Sequence, residues 1–206
     1  MSFGSSSTGL TASCRGQLME VVCVANNQSW LEKRDWSSVI DSFDVVVRYG
    51  LCRQLGTTAG RKVDYLFLHY DRSCIDPAMQ CDERIHIIAQ QKPVIVLAWY
   101  RHGIEHLREW LGKHGVFKHC PLMLLPGLYR LKAEAELKRL KSTTHREPSI
   151  GIVVNEFLRE HFKDHAVHTF GFDHSGSDFH DWSAERRYFD EKYKNKELIK
   201  WQAQAT

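Results

Sequence analysis

Short apolar runs alternate with segments of helical periodicity along most of this chain of 206 residues. The apolar runs predict strands at residues 19–25, 43–48, 63–69, 93–99, 121–125 and 166–172. Between and after them, helices are predicted at residues 36–40, 102–113, 128–141, 149–161 and 183–194, with a last edge strand at 198–201. Strands that alternate with helices form mostly parallel sheets, because each crossover returns the chain to the same end. The pattern predicts an α/β Rossmann-type sandwich, with a mostly parallel central sheet flanked by helices.

The composition fits a single soluble domain over residues 1–206, with a flexible Ser- and Gly-rich lead-in at residues 1–17. A formal net charge of +3, carried by scattered basic residues, gives no argument for nucleic-acid binding. No apolar run is long enough to span a bilayer, and the N-terminus lacks a signal-peptide pattern. The basic side chains of the predicted helix at 128–141 could touch a membrane surface, although a solvated helix face is the simpler interpretation.

Cysteine and histidine spacing gives no sign of a metal site. All six cysteines lie within the first 120 residues, and none forms a Cys-x-x-Cys pair. Among twelve histidines, the group of His161, His165 and His168 comes closest to a ligand set, but the helix is expected to end within it. We therefore predict free thiols in a reducing compartment and no bound metal.

Two polar turns are candidates for ligand binding. Asn26 and Asn27 directly follow the first predicted strand, and their amides could contact a nucleotide or a sugar, or simply form a turn. Ser149 and Gly151 begin the clearest helix, where N–H groups and the helix dipole attract anions and Gly151 lets a ligand approach. A plain Ser N-cap is the alternative. Neither segment is a Gly-x-Gly-x-x-Gly or Walker sequence, so dinucleotide cofactors and ATP are disfavoured.

The third candidate is the loop after the strand predicted at 166–172. It contains Asp173, His174 and His180, and Glu185 follows His180 after four intervening residues. Histidines just beyond a sheet strand suit proton transfer near neutral pH, although solvent-exposed loop histidines look the same in a sequence. Ligands bind at the carboxyl ends of parallel strands, so we expect this loop and the turns after the first two strands to share one rim.

In order and spacing, these segments resemble the sialylmotifs of the eukaryotic-type sialyltransferase family. The large motif has a strand with a Gly-Asn-Ser-type turn, an Ile-Asp-Ser segment, an Arg-containing strand, and a later Gly and strand. Residues 21–27, 40–48, Gly60 and residues 63–67 are similar to it. The small motif, Pro-Ser-Thr-Gly with a helix and a strand ending in Tyr-Gly-Phe, resembles residues 148–151 and 170–173. The very short motif, His-x4-Glu, matches His180 and Glu185.

This resemblance implies a GT-A-like fold and an inverting, metal-independent glycosyltransferase. Such an enzyme moves a sialic acid from its CMP conjugate to a glycan or lipid-linked saccharide acceptor, without a cofactor. The donor-binding residues that the resemblance implies are Asn26, Asn27, Arg48, Ser149, Gly151 and Asp173. His180 would take the proton of the acceptor hydroxyl, since an imidazole of pKa about 6.5 is mostly neutral at working pH. Glu185 would orient the imidazole or stabilise its cation, and His174 would donate a hydrogen bond to the departing phosphate.

Several departures from the family pattern keep alternatives open. Ala25 replaces the usual Gly, Gly50 the usual Asn and Ile150 the usual Thr, and no cysteine follows Cys120 to form the disulfide of animal members. With no membrane anchor, we expect a short bacterial-type enzyme of the cytoplasm, with peripheral inner-membrane contact as an option. The donor sugar could be Kdo, as in surface polysaccharide or lipooligosaccharide synthesis. An α/β enzyme that uses another nucleotide and a non-catalytic sugar-nucleotide-binding protein are the remaining alternatives.

Overall fold

The computed structural model describes residues 18–26, 31–50, 54–69, 83–98, 119–142, 147–176 and 178–201. Outside these ranges lie the lead-in predicted at residues 1–17, the helix predicted at 102–113, and Asn27. Within them, no helix is both long enough and apolar enough to cross a bilayer.

The described elements form one parallel sheet covered by helices. Its seven strands are β1 (Glu20–Val24), β2 (Val45–Tyr49), β3 (Tyr65–His69), β4 (Val94–Ala98), β5 (Leu122–Leu124), β6 (Ala166–Phe170) and β7 (Ile199–Lys200). The helices are α1 (Ser37–Asp41), α2 (Glu83–Gln91), α3 (Gly127–Arg139), α4 (Ile150–His161) and α5 (Trp182–Lys194). Every strand pairing is parallel, which confirms the predicted α/β sandwich.

The strand order, β5-β4-β3-β2-β1-β6-β7, places β1 between an early strand and a late one. From β1 to β5 each new strand is added on one side, whereas β6 is added on the other side of β1. The connections after β1 and β6 therefore leave over opposite faces of the sheet, because crossovers in parallel sheets are right-handed. A crevice opens where they part, and open α/β sheets bind their ligands at this point.

Apolar residues on both faces hold the sheet between the helices. One face packs Val21, Cys23, Val47 and Phe67 against α3, α4 and α5, and the other packs Val22, Val46, Leu66 and Ile95 against α1 and α2. The strands are therefore nearly continuous apolar runs, as expected for a sheet covered on both sides.

One helix, α2, was missed by the sequence pattern. Its isoleucines Ile85, Ile87 and Ile88 are all buried against β3 and β4. β-branched residues are typical of strands, and Ile85 and Ile87 have the spacing of a strand, so the local signal is ambiguous. Packing on the sheet decides in favour of the helix.

The turn before β3 is held by one carboxylate. Asp41, at the end of α1, accepts hydrogen bonds from the backbone N–H groups of Arg61 and Lys62 at 2.9–3.0 Å. Gly60 has a φ of +75°, and a Cβ on it would lie 2.3 Å from Asp41 Oδ1. Asp41 and Gly60, which both belong to the segments that resemble the large motif, therefore form one structural unit.

We expect Gly60→Ala to lower the free energy of unfolding by roughly 2–4 kcal/mol, because it combines left-handed strain with a steric clash. Urea unfolding followed by circular dichroism measures this change. Gly127→Ala is the control, since no atom lies within 4 Å of its added Cβ. Its stability should be unchanged or slightly higher, because Ala favours helices. Equal stability of the two variants would contradict this account of the turn.

Candidate active site

A cavity of about 410 Å³ lies at the carboxyl ends of β1, β2 and β6. Its wall comprises Ala25 and Asn26 after β1, Tyr49 of β2, residues 149–151 at the start of α4, residues 171–176 after β6, and Trp182 and Glu185 of α5. The turns that were predicted to share one rim are therefore neighbours. A cavity of this size suits a small organic ligand.

Asn26 and Tyr49 join the ends of β1 and β2. The Asn26 Nδ2 group donates to the Tyr49 carbonyl oxygen at 2.9 Å. The Tyr49 hydroxyl lies 2.5 Å from Cys23 Sγ, and its ring packs edge-on against Phe172 with centroids 6.2 Å apart. Burial raises the pKa of the Cys23 thiol to about 12, so the thiol is neutral. Tyr49 was not among the predicted site residues, although strand alternation places it on the opposite face from Arg48.

Glu185 holds the start of α4 in place. Its carboxylate accepts the Ser149 N–H at 2.8 Å and the Ser149 hydroxyl at 2.5 Å, and Ser149 Oγ in turn accepts the Ile152 N–H at 3.4 Å. Glu185 is only 1% exposed. Burial raises its pKa, whereas the hydrogen bonds from Ser149 and the charge of His180 act in the opposite direction. The contact with Ser149 was not foreseen from the sequence, which suggested only a role beside the imidazole.

The start of α4 presents backbone N–H groups to the cavity. N–H groups in the first turn of a helix have no acceptor within the helix. The N–H groups of Ser149 and Ile152 donate to Glu185 and to Ser149 Oγ, respectively. Ile150 and Gly151 also line the cavity, and a helix start of this kind can bind an anion. A Cβ on Gly151 would lie 3.1 Å from Phe172 Cε1, so the glycine also admits the Phe172 ring.

The loop after β6 places Asp173 and His174 in the cavity wall. His174 has a left-handed φ of +52°, and its ring lies 4.8 Å from that of Phe189. Burial, followed by the nearby Arg186 guanidinium, lowers the His174 pKa to about 4, so its imidazole is neutral at neutral pH. Asp173 is exposed, and its carboxylate accepts the Ser175 N–H at 3.2 Å and hydroxyl at 2.6 Å, which shapes the loop.

His180 lies at the border of the cavity and is not part of its wall. Its ring is edge-on to that of Trp182, which does line the cavity, with centroids 5.1 Å apart. The His180 Nδ1 atom is 2.9 Å from the carbonyl oxygen of Glu147, which can only accept a hydrogen bond. Nδ1 therefore carries the proton in this contact, and Nε2 is the basic nitrogen. This tautomer is suited to a general base.

Arg48 lies outside the cavity, which corrects the donor-binding role that the resemblance implied. It is 1% exposed, on the opposite face of the sheet from Tyr49. Its Nε atom donates to the Lys62 carbonyl at 2.9 Å and Nη2 to the Ala59 carbonyl at 2.5 Å. A buried guanidinium that satisfies backbone carbonyls stabilises the turn before β3. Asn27, also predicted to bind the donor, lies outside the described residues.

The titratable side chains do not gather into a metal site anywhere in the described ranges. No group of three or more His, Cys, Asp or Glu side chains there is arranged to hold a metal ion. Cys23 and Cys120, the cysteines of those ranges, are both free thiols. Metal independence of the chemistry stays a prediction.

We expect the protein to lose stability as the pH falls from about 6.5 to about 4. The unfolded chain protonates His174 at the ordinary pKa of 6.5, whereas the folded chain resists protonation until about 4. The contribution of His174 is therefore complete above pH 6.5 and falls through that window. Thermal unfolding measured from about pH 4 to about pH 7.5 follows this change in stability. His174→Phe should flatten the pH dependence, whereas His86→Phe, on an exposed position of α2, should not. An unchanged slope in His174→Phe would refute the assignment.

Known structures share this fold at low sequence identity. No protein-family model and no curated protein sequence matches the chain. The crystal structure of a mammalian sialyltransferase matches with 17% identity and a TM-score of 0.58, covering 90% of this chain and 70% of that chain. A mammalian sialyltransferase in complex with Gal-β-1-3GalNAc-ortho-nitrophenol matches with 16% identity and a TM-score of 0.53, at the same 90% and 70% coverage.

A bacterial structure also matches. The sialyltransferase CstII from Campylobacter jejuni, in complex with the substrate analogue cytidine-5′-monophosphate, is 15% identical, with a TM-score of 0.50. The match covers 90% of this chain and 80% of that chain. The chain therefore has a GT-A-like fold of the sialyltransferase type, as its motifs predicted.

Proposed function

We propose that this protein is a sialyltransferase-like glycosyltransferase, which moves a sialic acid from its CMP conjugate to a hydroxyl group of a glycan acceptor. The observation that carries the proposal is the meeting of three motif segments at one cavity. These are the turn after β1, the start of α4, and the loop after β6 with α5. Structures of sialyltransferases share the fold, and one of them contains CMP, which supports a CMP-activated donor here.

Residues of the cavity wall would bind the cytidine monophosphate group of the donor. The N–H groups of Ile150 and Gly151, with the α4 dipole behind them, would bind the phosphate. Asn26, whose amide is held on the Tyr49 carbonyl, would contact the ribose or the phosphate. The rings of Tyr49 and Phe172 would provide apolar surface for the nucleotide.

The transfer needs one base and one good leaving group. His180 Nε2 would accept the proton of the acceptor hydroxyl while the hydroxyl oxygen attacks the anomeric carbon. The bond from that carbon to the phosphate oxygen would break, and its electron pair would leave with CMP. Attack from the opposite face inverts the anomeric centre. The neutral His174 would donate an N–H to the departing phosphate, so that α4 and His174 stabilise the charge without a metal ion.

Glu185 would act twice in this scheme. It anchors Ser149, and through it the phosphate-binding turn of α4. Burial raises the Glu185 pKa, and the electrostatic interaction with His180 is one of the effects that oppose this rise. When His180 takes up the acceptor proton, the negative charge of Glu185 would stabilise the resulting imidazolium.

Two of the alternatives are less well supported. Sialic acid is favoured over Kdo as the donor sugar, because the structures that share the fold are sialyltransferases. Catalysis is favoured over simple sugar-nucleotide binding, because the Glu147 carbonyl selects the His180 tautomer that can accept a proton.

We expect His180→Ala to reduce kcat/KM for transfer from CMP–sialic acid by about 10²–10⁴-fold, because the general base is lost. The Kd for CMP, measured by calorimetry, should stay nearly unchanged, since the imidazole acts on the acceptor. His86→Ala, at an exposed position of α2, is the matched control and should retain both transfer and CMP binding.

Two results would count against these assignments. Full transfer activity in His180→Ala would remove His180 from the role of base. If the wild-type protein binds adenine nucleotides but neither CMP nor CDP, the proposed function itself is wrong.

A further inference from the structure

The residue after the candidate base binds partners with both of its carboxylate oxygens. Asp181 is buried and is the N-cap of α5. Its Oδ1 atom accepts the Ala184 N–H at 3.0 Å and the Ser183 hydroxyl at 2.8 Å, and both contacts lie within α5. Its Oδ2 atom accepts the Ser142 hydroxyl at 2.7 Å, from a residue 39 positions away. A helix cap requires only the contact with Ala184, so the bond to Ser142 has a different effect.

Ser142 is fixed by the end of α3. Its N–H donates to the Leu137 carbonyl oxygen, within the last turn of α3, at 3.1 Å. Arg187 Nη2 of α5 donates to the Leu140 carbonyl oxygen at 2.9 Å. The first two turns of α5 are therefore bonded at two points to the chain that ends α3.

The partner of the His180 imidazole is bonded to the same helix. The Glu147 carbonyl binds His180 Nδ1, and the Glu147 carboxylate accepts Arg130 Nη2 of α3 at 3.1 Å. That ion pair is partly exposed and contributes little by itself. The bond from Ser142 to Asp181 is shorter and partly buried. It is therefore the stronger of the two connections that hold the imidazole and the Glu147 carbonyl on one frame.

The charge of Asp181 strengthens this connection. The bond from Ser142 is the main reason why the Asp181 pKa falls to about 2, so the carboxylate is ionised at neutral pH. Hydrogen bonds to an ionised acceptor are shorter and stronger than those between neutral groups.

We propose that Asp181 is a positioning residue for His180; this inference rests on the proposed function. Its carboxylate joins the start of α5 to the end of α3, and so keeps the adjacent imidazole aligned with the Glu147 carbonyl. The carbonyl then holds the ring proton on Nδ1 and leaves Nε2 as the basic nitrogen. Asp181 touches no substrate in this role and acts only through His180.

The test separates the bond to α3 from the helix cap. Ser142→Ala removes the bond and retains both contacts of Asp181 within α5. ¹⁵N NMR of the intact protein at about pH 8, where an ordinary imidazole is neutral, measures which nitrogen of His180 carries the proton. We expect nearly all of the wild-type ring to be protonated on Nδ1, and a mixture of both tautomers in Ser142→Ala.

Activity should follow the tautomer. We expect Ser142→Ala to lower kcat for transfer from CMP–sialic acid to lactose, the probe acceptor, by about tenfold, because a small misplacement of a catalytic group slows the reaction. The Kd for CMP should stay unchanged, since the imidazole acts on the acceptor. The NMR measurement needs no acceptor, so it decides the inference by itself.

Three further variants serve as comparisons. Ser142→Thr keeps a hydroxyl group and should retain the wild-type tautomer and kcat. Ser183→Ala is the matched control, because it removes a hydroxyl that binds the same carboxylate from within α5 and should also retain both. Asp181→Ala loses the cap as well as the bond to Ser142, and it should change the tautomer at least as much as Ser142→Ala.

The opposing outcomes can be told apart. An unchanged tautomer in Ser142→Ala, or an equal change in Ser183→Ala, rejects the positioning role and leaves the proposed function standing, because Asp181 would then only cap α5. A change that Ser142→Thr does not reverse rejects it too. If the wild-type protein does not bind CMP, the proposed function fails, and the positioning role fails with it even where the variants alter the tautomer.

Discussion

The candidate site depends most on the contact between the Glu185 carboxylate and Ser149. It binds both the N–H and the hydroxyl of Ser149, a residue 36 positions away in the chain, and so joins α5 to the start of α4. A buried carboxylate is tolerated here because both of its oxygens accept hydrogen bonds. Since His180 lies just before α5, this one contact also sets where the candidate base lies relative to the start of α4. The phosphate-binding and proton-accepting parts of the proposed site are therefore mechanically linked.

The cavity itself follows from the strand order. Because β1 pairs with β2 on one side and β6 on the other, the chain leaves β1 and β6 over opposite faces. The turn after β1 is tied to β2 through Asn26 and the Tyr49 carbonyl. The loop after β6 is packed on α4 through Phe172 and Gly151. Each wall of the crevice is thus held by its own side-chain contact, and the space between the walls stays open.

Three titratable groups around the cavity are held in different states by their surroundings. Burial keeps His174 neutral, so it can donate a hydrogen bond without adding a positive charge that would retain a phosphate product. A backbone carbonyl selects the His180 tautomer with a basic Nε2. Burial raises the pKa of Glu185, while Ser149 and His180 favour its charged form. These different surroundings suit the three groups to the proposed roles of hydrogen-bond donor, base and charge stabiliser.

The sequence by itself determined the strands of the sheet, the start of α4 at Ser149, and the order of the segments that meet at one rim. These follow from apolar periodicity, helix capping and right-handed crossovers, which are local or general rules. Only the tertiary structure decided that Arg48 supports a turn on the far face, that Tyr49 enters the cavity in its place, and that Glu185 binds Ser149. It also decided that α2 is a helix, through burial of its isoleucines on the sheet. These outcomes depend on contacts between residues of different packed elements. The spacing of residues within a single segment does not determine such contacts.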